Sequence, residues 1–462
     1  MKRLFWIFPA GAVFLAVLAA QNIDLGTITA GQKRTIAIPV FKGVGEAQSF
    51  MGAFNETLNA DIGGSGMVKI GSRSFYPAFT PQQPSDFTTP PPVIQSPRGK
   101  KGEMTMPTNG GGHWMSDWSG PPTSANYVAI GYTAPVNGVL VLYGWLFDLS
   151  SGNVTQGKVL EKRYNGSVDE AGARKVAHEF AADIMALFGG QSLFGTHIYF
   201  DSNRTGHQEI WMMDYDGKNQ RQVTHFNSDS IEPSVSADGT RIAFTSFAHQ
   251  APGIFLFQVD PPRDLRFYNQ SASVNSSPSF TPDGKQIVYS SSSGRCCRIF
   301  IANIDGTGFK PITSAGSLDT EPKVNPKTGN DIVFSSGRSG PEQIYRMNMD
   351  GGDMERLSEG TGEAANPSWH PGGQIIAFAW TRGYSAGAWN IFVMDVASRQ
   401  YNQLTHGEGK NEHPSWAPDG KHIVFASTRN GKYQIYTMLA DGSQPAQVLT
   451  TAGSNQRPVW GK

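Results

Sequence analysis

Over the last two-thirds of the chain the apolar positions fall into a short recurring pattern. A triplet with an aromatic third member appears six times: Ile198-Tyr199-Phe200, Ile242-Ala243-Phe244, Ile287-Val288-Tyr289, Ile332-Val333-Phe334, Ile376-Ala377-Phe378 and Ile423-Val424-Phe425. Each copy also places a proline before a further apolar run, at Pro233, Pro278, Pro322, Pro367, Pro414 and Pro458, with successive spacings of 44 to 47 residues. Runs this short that alternate between two faces are strands. A period in the forties built from such strands and tight turns predicts a β-propeller.

The copy at 414–449 shows the unit. Pro414-Ser415-Trp416 starts a strand, and Pro418-Asp419-Gly420-Lys421 turns the chain. Proline fixes φ there, and glycine accepts a positive one. His422 to Ala426 is a second strand, Ser427 to Gly431 a loop, and Tyr433 to Met438 a third strand. Asp441-Gly442 turns into an outermost strand at Ala446 to Leu449. Four antiparallel strands make one blade. The region opens at His197 with a second strand and ends at Arg457-Pro458-Val459-Trp460 with a lone first strand. The last strand is therefore expected to complete the first blade, giving six closed blades and no free edge.

Strand direction sorts the connections onto two faces. The Pro-Asp-Gly and Asp-Gly turns share one, which is stereotyped and expected to be structural, Lys421 included. The loops with Arg204, Arg295, Arg338, Arg382 and Arg429 share the other. Glu232, Ser277, Glu321, Asn366, His413 and Arg457 each precede a repeat proline. They are expected to form a ring at the channel mouth on the loop face, where varied chemistry suits recognition of one asymmetric partner. Arginine is enriched at interfaces, so Arg204, Arg338, Arg382 and Arg429 are candidate contacts as well.

The N-terminal third is patterned differently. Met1-Lys2-Arg3 and the apolar run Leu4 to Ala20 form a signal peptide, with cleavage after Ala19 or Ala20 and a mature segment at 21–33. Residues 34–190 predict a small α/β domain. Its strands are expected at Arg34–Phe41, Met67–Ile70, Tyr127–Tyr132, Val139–Leu149 and Lys158–Tyr164. Its helices are expected at Glu46–Ile62 and Asp169–Phe188, the second stopped by Gly189-Gly190. Residues 77–122, rich in Pro, Gly and Thr with a basic patch at Arg98, Lys100 and Lys101, predict an extended or disordered insert.

Composition narrows the function. The 38 Lys and Arg balance 38 Asp and Glu, so no global field favours nucleic acid or an anionic membrane. The length of 462 residues suits two or three domains. Gly383-Tyr384-Ser385-Ala386-Gly387 matches the nucleophile-elbow pattern, but it lies between two strands of a blade, whereas that chemistry needs a strand-turn-helix. Asp214-Tyr215-Asp216-Gly217-Lys218-Asn219 starts like a calcium loop, but its twelfth position is His225 and not a glutamate. Cys296-Cys297, the only cysteines, fit two thiols in or beside a strand better than a strained vicinal disulfide. No metal, cofactor or catalytic residue is expected.

The domain order, Arg34 to Phe41, the junction near Phe188 followed by Gly195 to Phe200 and Asp214-Tyr215-Asp216-Gly217, and the repeats Pro278 to Gly284 and Pro414 to Gly420 together resemble the TolB family of the Tol-Pal system. The resemblance covers nearly the whole mature chain. It implies a periplasmic, monomeric scaffold that binds a Pal-like peptidoglycan-associated lipoprotein at the channel-mouth face. It also implies that residues 21–33, with Ile23, Leu25 and Ile28, act as a switch that docks on the protein itself or engages a TolA-like partner. The chain departs from the family in its Pro-rich insert, in Cys296-Cys297 and in Pro261-Pro262-Arg263-Asp264, which stands where other blades have Asp-Gly. Two alternatives stay open. A peptidase-associated propeller would need a hydrolase domain of about 200 residues. A carbohydrate-processing propeller would draw on Glu232, Glu321, Glu412 and His413.

Overall fold

The computed structural model describes residues 33–90, 110–249, 251–265, 274–292, 297–314 and 316–462. The signal peptide, Ile23, Leu25, Ile28, the basic patch of the insert, Arg295 and Cys296 lie outside them.

The N-terminal domain is a sheet with a different cover on each face. Its strands run in the order Lys69–Ile70, Thr35–Ala37, Tyr127–Val136, Val139–Asp148, Lys158–Gly166, with Lys42–Gly43 beside Tyr127–Val136. Thr35–Ala37 is parallel to both of its neighbours. The strand expected to reach Phe41 is paired only over Thr35–Ala37 before Lys42–Gly43 resumes pairing, and Val40 is exposed. Helices Met51–Gly64 and Glu170–Leu187 cover one face. The second is capped by Asp169, which accepts from Gly172 N at 2.7 Å, and it buries Ala173, Val176, Phe180 and Ile184. Gly144 leaves the room: a Cβ there would stand 2.9 Å from the Phe180 ring.

The other face corrects the expectation for the insert. Its arms, 77–90 and 110–122, pack onto the sheet through Phe87, Met115 and the fully buried Trp118, against Val128, Ile130, Trp145 and Phe147. Trp118 Nε1 donates to Gly112 O at 3.0 Å, and the Asp117 carboxylate takes the N–H groups of Gly110, Gly112 and Trp114. These bonds order a segment whose composition is that of a linker.

The propeller has six four-stranded blades, numbered here from the composite one. Blade 1 takes its inner strand from Asn455–Gly461, which pairs antiparallel with His197–Ser202 as Asn455↔Ser202, Val459↔Tyr199 and Gly461↔His197. Blades 2 to 6 begin at Ser230, Val274, Asp319, Ala364 and Asn411. All six triplets are strand centres with buried side chains. Boundaries in blade 6 differ from the sequence pattern: the second strand runs on to Ser427, and the outermost is only Gln447–Val448. The third strand of blade 6 is Gln434–Leu439, one residue late, and its inner strand starts at Asn411 instead of Pro414. Inner strands run through the proline because each bulges there: the register slips by one between Glu412 and Ser415, and equivalently in the other five blades.

Candidate functional site

The bulge decides where the six pre-proline residues go. Glu232, Ser277, Glu321, Asn366, His413 and Arg457 all hold φ between +47° and +57°, a left-handed conformation that glycine adopts freely and other residues only at a cost of about 1–2 kcal/mol each. Each is the third or fourth residue of its inner strand, so the ring sits within the channel wall and not at its rim. One cavity is lined by all six together with Lys323.

Their hydrogen bonds run around the channel. Glu232 Oε2 accepts from Ser277 N (2.9 Å) and Ser277 Oγ (3.0 Å) of the next blade, and from Thr245 Oγ1 (2.9 Å). Glu321 accepts from Asn366 N (2.8 Å) and Nδ2 (2.7 Å), and from Ser335 Oγ (2.9 Å). Asn366 Oδ1 accepts from His413 N at 3.3 Å. Arg457 pairs with the fully buried Asp201 at 3.2 Å, and the N–H of Glu232 also supports that carboxylate. At the two remaining seams a serine one layer deeper forms the bridge. Ser279 Oγ accepts from Val324 N (3.2 Å), and Ser415 Oγ accepts from Trp460 N (3.1 Å).

Burial sets the charges. It pushes the Asp201 carboxyl up to about 6 against the pull of Arg457. It also holds the His413 imidazole well below its ordinary value, helped by the positive Arg457 and Lys323, so that ring is neutral at pH 7. The Lys323 amine is lowered by burial although Glu321 and Glu232 oppose the shift. Toward the loop side, burial with Glu321 and Glu363 nearby raises Glu342 to about 7.

The loop arginines are engaged within their own blades. Arg204, Arg338 and Arg429 bond Ser202, Ser336 and Ser427 through Nε, and reach Asn455, Asp319 and Asn411 through Nη2. Their guanidinium groups lie over Phe200 and Trp211, Phe334 and Tyr345, and Phe425 and Tyr436. Arg382 lies over Trp380 and Tyr401 and donates to Glu359 O. Cation–π contact and hydrogen bonds together make each arginine a clamp across its blade.

The turn face carries the N-terminal domain, and there Lys421 is an interface residue touching Met67. The end of helix Met51–Gly64 rests on blades 6 and 1. Gly63 O accepts from Gln444 Nε2 at 3.2 Å, and Gly64 O meets His422 Nε2 at 2.9 Å. Gly66, at φ +69°, packs on Leu439, leaving 3.1 Å for a Cβ. Asp61 binds Tyr215 OH of blade 1 and His178 Nδ1 (2.7 Å). A signal for this docking lay in the repeat. The residue before each triplet pairs with Asp214, Gln258, Asn303, Asn348 and Asp395 in five blades, but with Leu439 in the sixth. Lys323 had a comparable signal, since its equivalents are Ser234, Ser279, Ser368, Ser415 and Val459.

Ser385 is exposed in the connection between strands Ile375–Trp380 and Asn390–Asp395. The Asp214 to Asn219 segment is a turn closed by Asn219 Nδ2 on Asp214 Oδ2 (2.6 Å). Among the described residues, no cluster of His, Cys, Asp or Glu is arranged to hold a metal ion, and no helix is long and apolar enough to cross a membrane.

Comparison with known proteins agrees with this architecture. The family described as the TolB beta propeller domain matches residues 185–384 and 358–462. A TolB homolog of Chlorobium luteolum is 35% identical over 303 residues, 65% of this chain and 68% of the relative. The Tol-Pal system protein TolB of Bordetella pertussis is 35% identical over 201 residues, 43% of this chain and 45% of that protein. In fold, the crystal structure of TolB from Acinetobacter baumannii superposes with a TM-score of 0.72 at 21% identity, covering 93% of this chain and 96% of that one. The propeller match and the homologous stretch lead to one assignment: the chain belongs to the TolB family.

Proposed function

We propose that this chain is a periplasmic, non-catalytic scaffold of the Tol-Pal system. It binds a Pal-like lipoprotein at the loop side of the channel and a TolA-like protein through residues 21–33, in support of outer-membrane integrity and constriction at cell division. The observation that carries this reading is the ring of six strained residues of five different types in one channel. Backbone strain repeated at six non-glycine positions is an outlier that calls for a role. Here it aims varied side chains into a shared cavity on the side away from the N-terminal domain.

Calorimetric titration of a Pal-like lipoprotein domain into the protein tests this. His413→Ala removes the imidazole and keeps the backbone N–H bond to Asn366 Oδ1, so the fold is retained. Its affinity is expected to fall by about 2 kcal/mol, as for a central hot spot. Lys285→Ala, in an exposed turn of the opposite face, is expected to bind as wild type. Equal affinity in wild type and His413→Ala, with loss in Lys285→Ala, would move the site to the turn face.

A further inference from the structure

We propose that docking of the N-terminal domain on the propeller is gated by a proton on His422. The imidazole stands between two acceptors: Nδ1 faces Asp419 Oδ2 at 2.6 Å, and Nε2 faces the Gly64 carbonyl, across the domain boundary, at 2.9 Å. A neutral imidazole has one N–H and satisfies one of them, whereas the imidazolium donates to both. Asp419 does not supply the missing donor. Its Oδ1 already accepts the N–H groups of Lys421 (2.8 Å) and His422 (3.1 Å). Burial opposes its charge, but these bonds and His422 hold it below the ordinary carboxylate value.

Gly64 O is the last carbonyl of helix Met51–Gly64 and sits at the negative end of the helix dipole. A cation is favoured there. When the proton leaves, the remaining N–H stays with the carboxylate, and the Nε2 lone pair faces the carbonyl oxygen. An attraction across the interface becomes a repulsion.

The surroundings favour the cation. Lys421, on the same strand side, opposes it. Asp419 favours it, and Asp61 from the helix and Asp216 beside Tyr215 in blade 1 line the same cavity. His178 from helix Glu170–Leu187 and His370 from the blade 5 turn face Asp61 and Asp419 respectively. Burial works against the charged ring, yet the bonds to Asp419 and Gly64 outweigh it and raise its proton affinity. The sign follows: docking strength tied to this proton is complete below the ordinary histidine value of 6.5 and is lost as pH rises through the higher value of the docked state. Between the two values the docking constant falls about tenfold per pH step of one.

The test uses the full chain. Long-range proton–nitrogen NMR on histidine-labelled protein reads the protonation of His422 directly, with His422→Gln assigning its signal. Both ring nitrogens are expected to be protonated at pH 6.5, with a titration midpoint above the ordinary histidine value. Small-angle scattering from pH 6 to 9 is expected to show the wild type expanding and His422→Gln, which keeps a neutral donor, unchanged. His178→Asn is expected to keep the wild-type response. A neutral His422 ring at pH 6, a wild-type response in His422→Gln, or loss of the response in His178→Asn would each overturn the proposal. His422→Asn serves as a second variant for the assignment if His422→Gln does not fold.

Discussion

On the turn face, two of the six blades hold the N-terminal domain through a few substituted positions; on the loop side, all six blades line one channel with residues in the same strained conformation. The turn face keeps its repeat and breaks it locally. Leu439 replaces a polar partner, and His422 meets the last carbonyl of a helix that rests on blades 6 and 1 alone among the described contacts. The loop side keeps the backbone of the repeat and varies the side chains of its ring, where only glutamate recurs. A symmetric scaffold can thus become asymmetric by one local exception or by a ring of different residues. The first suits an intramolecular contact, and the second suits recognition.

The comparison can be broken most severely at closure. Deleting residues 457–462 removes Arg457 from Asp201, removes Trp460 from between blades 6 and 1, and leaves His197–Ser202 as an open edge. A loss of more than about 5 kcal/mol is expected, with both faces failing together. Urea unfolding and protease sensitivity across the propeller report it; a truncated protein as stable as the full chain would refute closure.

A smaller change separates the faces. Gly66→Val places a side chain at φ +69° and 3.1 Å from the Leu439 methyls, so the domains are expected to part at a cost of about 2 kcal/mol. The propeller itself is expected to melt unchanged, and only the junction near 188–196 should become cleavable. Cooperative loss of both domains would mean that the turn face is part of the propeller's own stability.

The smallest effect sharpens the loop side. Glu342 is raised to about 7 by burial and by Glu321 and Glu363, above its unfolded value of 4.5. The stability tied to its proton is therefore complete below 4.5 and is lost as pH rises through 7. Glu342→Gln is expected to flatten the decline in melting temperature between pH 5 and 8 and to gain about 1 kcal/mol at pH 8, allowing for its partial exposure. An unchanged pH profile would place the decline elsewhere.

Much of the architecture could be read from period alone, because Ile423-Val424-Phe425 and its equivalents are buried strand centres wherever they occur. The lone strand at Pro458 announced closure by what it lacked. What escaped depends on contacts between segments far apart in sequence. Arg429 looks like a loop charge until Phe425, Tyr436 and Asn411 converge on it. Phe87 and Trp118 are isolated among prolines and glycines, and only the sheet they cover shows them to be core. The pre-proline residues were visible as a ring, but their left-handed backbone was not. A proline after a polar residue signals extended chain, and the bulge that turns it arises from pairing.

Closure by the last strand also sets a timetable. During synthesis from the N-terminus, the strand His197–Ser202 emerges with no inner neighbour, and Asn455–Gly461 follows more than 250 residues later. Blade 1 is half of the platform on which the N-terminal domain rests, so that domain waits for Asn455–Gly461 before it can settle. Pairing over that separation is slow to form. Until Asn455–Gly461 is in place, blades 2 to 6 are an open stack with two unmatched ends, and its pairing with His197–Ser202 is the event that lets the whole molecule assemble.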